Sequence, residues 1–207
     1  MESYITVERK ATAEFTEKRS RFIANVFPVS KESDALEIIA KLKKEYWDAK
    51  HNVYAYVIKE GNICRYTDDG EPSGTAGVPV LDVMKKQGIV DCLIVVTRYF
   101  GGVLLGTGGL VRAYSTAAIE GLHEAHVITM KPCSLCEIQC DYGDYDTLIR
   151  RLNENGGDIK DSDFTDKVTV KFAMEESLVE DFSLKLTESF SGRLSLSITG
   201  TVFAYIE

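Results

Sequence analysis

From residue 133 onward the chain shows one order of elements that few folds accept. An alternating apolar stretch (133–140) precedes a helical pattern (145–155). Two strand-like stretches follow, the second over 167–174, then a helical pattern (178–190) and a last strand (194–206). Strand, helix, strand, strand, helix, strand is the order of a ferredoxin-like domain, so the spacing predicts an α+β unit over 133–207.

The first 132 residues read differently, and Pro132 marks the predicted boundary between two domains, 1–132 and 133–207. Residues 4–15 and 21–29 alternate as half-buried strands joined by the charged turn Glu17-Lys18-Arg19. Ser33 or Asp34 is positioned to cap a helix whose Ala35, Leu36, Ile38, Ile39, Leu42 and Tyr46 share a face. A second hairpin is expected around Glu60-Gly61, then a polar loop over 67–77 and a helix from Val78-Pro79 to Gly88. Residues 92–96 suit a buried strand, 101–109 are glycine-rich, and 110–124 form a helical pattern.

A hydrophobic content of 44% over 207 residues is enough for ordinary packed cores. No run of eighteen or more apolar residues occurs, and Met1-Glu2-Ser3-Tyr4 lacks the basic and apolar regions of a signal peptide. A soluble, cytoplasmic protein with no membrane partner is expected. The five cysteines form no disulfide framework and are expected as thiols. Charge is divided unevenly: 17 Lys and Arg match 17 Asp and Glu up to residue 132, whereas 7 face 15 beyond it, which is the whole net charge of −8. Binding to nucleic acid needs a basic footprint, so only local patches of the first domain can supply one, among Lys41, Lys43, Lys44 and Lys50, or Arg98 and Arg112.

Two segments carry the residue types that chemistry needs. The first, from Arg65 to Gly77, holds Asp68, Asp69, Glu71, Ser73 and Thr75; three carboxylates in four positions suit Mg²⁺ or acid–base work, while the same residues suit a capped surface turn. The second runs strand, glycine loop, helix through Arg98, Tyr99, Gly101, Gly102, Gly106, Thr107, Gly108, Arg112 and Tyr114. Backbone N–H groups at such a helix start form an anion site, to which Arg98 and Arg112 would add charge. Gly101 and Gly106 have P-loop spacing, but Thr107-Gly108 stands where Lys-Ser/Thr is required, which excludes a P-loop NTPase. His51 precedes a strand and is placed towards the same loops. His123-x-x-His126 and Cys133-x-x-Cys136 offer four zinc ligands by count, yet on a regular strand the two cysteines face opposite ways, and no metal site is expected. No Ser/His/Asp triad or other catalytic constellation can be singled out.

The segments 68–77, 98–102 and 105–114, with Ala49-Lys50-His51-Asn52, resemble the Impact family in its bacterial, YigZ-like members. That resemblance covers nearly the whole chain. It implies a first domain like domain 2 of ribosomal protein S5 and a second like domain V of elongation factor G. It also implies a role in translation. Eukaryotic relatives regulate a kinase of translation initiation through an additional N-terminal domain that 207 residues leave no room for. The leading expectation is an RNA- or ribosome-binding regulator without DNA specificity. In it Arg65, Arg98, Tyr99 and Arg112 meet phosphates, Tyr99 and Tyr114 stack on bases, and the acidic domain orients the first or meets a protein partner. The alternatives are an enzyme or binding protein for a phosphorylated small molecule or nucleotide, and a protein-binding adaptor. For the small molecule, Asp68, Asp69 and Glu71 would hold Mg²⁺ and Thr107 would approach phosphate; the leading reading needs no cofactor.

Overall fold

The computed structural model describes residues 2–206, and the chain divides into two compact units, one spanning Tyr4–Thr129 and the other built from Met130 onward. The first contains β1 (Tyr4–Val7), β2 (Ala11–Glu17), β3 (Ser20–Pro28), α1 (Glu32–Glu45), β4 (His51–Ile58), β5 (Ile63–Thr67), α2 (Gly77–Lys86), β6 (Cys92–Tyr99) and α3 (Thr107–Ala125). Its sheet runs β2-β3-β6-β4-β5, and every neighbouring pair is antiparallel.

The central strand β6 explains the continuous apolar run. Ile94 and Val96 pack with α2 and α3 on one face, and Leu93 and Val95 pack with Ala35, Ile39 and Leu42 of α1 on the other. A strand covered on both faces has no solvent side, so it loses the usual alternation. The strand also runs further than the expected 92–96, carrying Thr97, Arg98 and Tyr99 into the ladder. The first expected strand is interrupted: β1 and β2 part at Glu8–Lys10, and β1 instead pairs with the strand that opens at Val127 and bridges Ile5 to Ile89. In α1, Lys31 rather than Ser33 or Asp34 holds the cap position, and Leu36 is exposed rather than on the buried face.

In the second unit, β7 (Val127–Cys140), α4 (Tyr145–Glu154), β8 (Asp158–Phe164), β9 (Val168–Glu175), α5 (Glu176–Ser189) and β10 (Leu196–Ala204) follow in the expected order. The strands lie antiparallel as β10-β7-β9-β8. Leu148 and Leu152 of α4 join Phe182 and Leu186 of α5 over Ile138, Val170 and Phe172 in one core. The strand β7 continues straight through Pro132, which pairs with Phe203 at the edge of the ladder rather than ending it. Among the described residues the chain is a mixed α/β structure with two antiparallel sheets and five α-helices, none long and apolar enough to cross a membrane.

Candidate functional site

Glu71 is where the two polar segments meet. Its Oε1 accepts from Arg98 Nη1 at 2.6 Å and from the Tyr114 hydroxyl at 2.8 Å, so one carboxylate joins the loop after β5 to β6 and α3. All three side chains are buried. A lone buried charge is costly, and pairing with additional hydrogen bonds is what permits Glu71 and Arg98 to be there. Arg98 also donates from Nη2 to Ser20 Oγ at 3.3 Å and lies over the rings of Phe22 and Phe100, at 5.4 and 5.6 Å. Burial, with the Glu71 charge beside it, pushes the Tyr114 phenol well above its ordinary range. The phenol therefore stays a hydrogen-bond donor.

Two neighbouring residues complete the cluster. His51 pairs with Arg98 in the β4–β6 ladder, and its Nδ1 lies 2.8 Å from the Asp69 carbonyl. A carbonyl only accepts, so Nδ1 carries the hydrogen and Nε2 is left towards Glu71 Oε1, 3.7 Å away. Asp69 accepts from the backbone N–H of Asn52 at 2.7 Å and from Lys43 Nζ at 2.9 Å.

The carboxylates do not converge. Asp68 accepts from the N–H groups of Gly74, Ala76 and Gly77 at 2.8, 3.1 and 2.8 Å, which makes it the remote cap of α2. Asp69 faces β4 and Lys43, and Glu71 faces Arg98. The expected Mg²⁺ arrangement of Asp68, Asp69 and Glu71 is thus replaced by three separate structural engagements, and the described residues contain no cluster of three metal-ligating side chains. Thr75 is a buried turn residue whose Oγ1 donates to the Pro72 carbonyl, while Ser73 is exposed.

Around this cluster opens a cavity of ≈ 400 Å³. Gly70, Glu71 and Pro72 line it from one segment, and Phe100, Leu105, Gly106 and Thr107 from the other, with Lys50 at its edge. Gly106, at φ 72°, precedes α3, no side chain of its own caps the helix, and Gly106 and Thr107 at the helix start line the cavity. Gly102, at φ 83°, turns the exposed loop, and Gly101 holds it down: a Cβ there would stand 2.0 Å from the Arg19 carbonyl.

Several expected members lie elsewhere. Arg112 lines a second pocket of ≈ 340 Å³ with Lys18, Glu17 and Leu105; Gly108 is its near neighbour on the first turn of α3. Arg65 pairs opposite Tyr56 on the α1 face of the sheet, beside Glu32 at 3.8 Å, so it cannot join Arg98 on the other face. Tyr99 also points away from Arg98, donating to Asp48 at 2.9 Å. Tyr114 is 0% exposed and lines neither pocket, whereas Arg98, 4% exposed and held by Glu71 and Ser20, still lines the first cavity. Sequence reasoning missed Ser20, which accepts from both Arg98 and the Gly101 N–H, and the exposed Lys18, and gave the exposed Phe100 within segment 98–102 no role of its own.

Residues 18–122, which hold every part of this cluster, match the Impact N-terminal domain, and residues 138–193 match a domain of unknown function, DUF1949. The chain belongs to the IMPACT family. The IMPACT family member YvyE of Bacillus subtilis is 41% identical over 194 residues, covering 93% of this chain and 89% of the relative. YigZ of Escherichia coli is 32% identical over 199 residues, covering 95% and 98%. A crystal structure described as that of a hypothetical protein aligns with a TM-score of 0.60 at 32% identity, covering 96% of this chain and 98% of that one. The IMPACT match therefore extends over both units.

Proposed function

We propose that this IMPACT family protein is a translation-associated regulator that binds RNA or the ribosome, and that the contact surface is the α3 end of the first unit. Eukaryotic members of the family are known as translation regulators, which supports the setting. The observation that carries the surface is the grouping of exposed cations around the start of α3. Lys50 edges one pocket, Lys18 and Arg112 edge another, and Leu105 is common to both. Open helix N–H groups and flexible cations suit phosphates, and the exposed Phe100 offers a ring for an unpaired base. The buried Arg98, Glu71 and Tyr114 act beneath this surface by fixing the two loops. Glu17 on the rim and the zero net charge of residues 1–132 predict modest affinity that falls with salt. The strand order of the second unit, with α4 and α5 in one core, supports reading it as ferredoxin-like, and the first unit reads as similar to S5 domain 2.

Cosedimentation with ribosomal subunits and retention of labelled single-stranded RNA at low salt test the reading. Saturable binding is the expected result; loss of both at the lowest salt contradicts it. A second reading, a phosphorylated small molecule or nucleotide, is favoured by the size of the His51-lined cavity, which falls within the range of small-ligand pockets. Nucleotide titration without added Mg²⁺ separates the two.

A further inference from the structure

The two edges of the second unit's sheet differ in charge. At one, β8 reads Asp158-Ile159-Lys160-Asp161-Ser162-Asp163-Phe164 and shifts register between Ile159 and Asp161. Charged side chains are one way in which sheets block edge pairing. At the other, Leu196–Ala204 contains no charged residue, and among the described residues β10 has β7 as its only strand neighbour. Its Ser197, Ile198, Thr199, Thr201 and Val202 are exposed. A register shift between Ile198 and Gly200 divides the strand, so the edge beside the groove is the short run 196–198, followed by 200–202.

Beside that edge lies a groove of ≈ 620 Å³ between β10 and α5. Leu196 and Ile198 form one wall, and Val179 and Leu184 the other; Glu176 and Glu180 stand along it, and no basic residue lines it. Ile198 is 58% and Leu184 62% exposed, a large apolar exposure for two side chains lining one groove. An added strand would complete the backbone pairing of the edge and turn alternate side chains into this groove.

We propose that β10 and the α5 groove form a docking site for an extended, lysine- or arginine-bearing segment of a protein partner, which adds to the sheet as a further strand. Charge decides the kind of occupant. The acidic groove sits in the part of the chain where 7 basic residues face 15 acidic ones, so a basic segment is attracted. A second copy of this chain would bring Glu176 and Glu180 against themselves, which argues against self-pairing. The site is separate from the α3 surface and does not depend on it.

The test uses the full chain and a short fluorescent peptide of alternating valine and lysine, with binding read by anisotropy. Saturable binding is expected, with loss when alternate peptide nitrogens are methylated, because the edge then has no N–H to accept from. The Glu176→Lys/Glu180→Lys variant, altered only at surface positions and checked by circular dichroism, is expected to bind about tenfold more weakly. Slower amide exchange of β10 on peptide addition is the accompanying signature. Absence of binding, equal binding of the methylated peptide, or an unchanged affinity in the variant overturns the proposal. A dimer of the free chain that dissociates in an Ile198→Lys variant overturns it in favour of self-pairing.

Discussion

Oε1 of Glu71 carries two short hydrogen bonds inside a site where neither it nor Arg98 touches much solvent. Removing one member leaves the other charge stranded, and so Arg98→Ala is expected to cost about 3–5 kcal/mol in urea unfolding. A loss below about 1 kcal/mol would mean that water replaces the guanidinium. A pH effect follows from three other buried groups. The Cys92 thiol is pushed up by burial, Tyr56 is pushed up to about 12 by burial and its bond to Glu32, and Tyr114 is raised by burial and Glu71. Each ionises in the unfolded chain before it does in the folded one. Stability is therefore fully present below the ordinary thiol and phenol values of 9.0 and 10.0 and falls as pH rises beyond them. The slope is about 1.4 kcal/mol per pH unit for each group that has titrated only when unfolded. Chemical denaturation at a series of alkaline pH values checks this, and Tyr114→Phe should make the decline shallower.

At the scale of elements, the loops are held by backbone contacts more than by side-chain packing. Asp68 receives three N–H groups at the start of α2, and Asp68→Ala is expected to lower stability by about 2 kcal/mol and to raise amide exchange at Gly74, Ala76 and Gly77. Gly101 presses on the hairpin turn, where Lys18 and Arg19 both adopt left-handed backbone angles, φ 45° and 67°. A methyl group there meets main chain that cannot rotate away, so Gly101→Ala is expected to cost about 1–3 kcal/mol and to shift the Lys18 and Arg19 amide resonances. Much of this architecture was legible in the sequence. The order of elements in the second unit followed from alternation and helical spacing, and the strand, glycine loop and helix through residues 98–114 were read in their order. The misplaced residues have a common cause. The strand expected over 92–96 runs on to Tyr99, so Arg98 and Tyr99, read as loop residues, are strand neighbours on opposite faces, and nothing in the sequence shows which face Arg65 shares. The turn at Lys18-Arg19 lacks the Asn-Gly signal that normally marks such geometry, which hid Ser20 and its contacts.

For the whole molecule, charge is partitioned by unit. The first is neutral overall yet groups Lys18, Lys50 and Arg112 around one helix start, while the second holds the acidic excess and an uncharged sheet edge. A neutral body with a local cationic rim binds polyanions through few contacts, and its affinity should respond to salt in proportion to them. The most direct measurement is the salt dependence of RNA binding for the native chain and for Lys50→Ala/Arg112→Ala, two substitutions at exposed positions. If the rim is the contact surface, the variant binds more weakly, and the slope of log affinity against log salt concentration becomes shallower by about 1.4. An unchanged affinity and slope would contradict the account and place any RNA contact away from the start of α3.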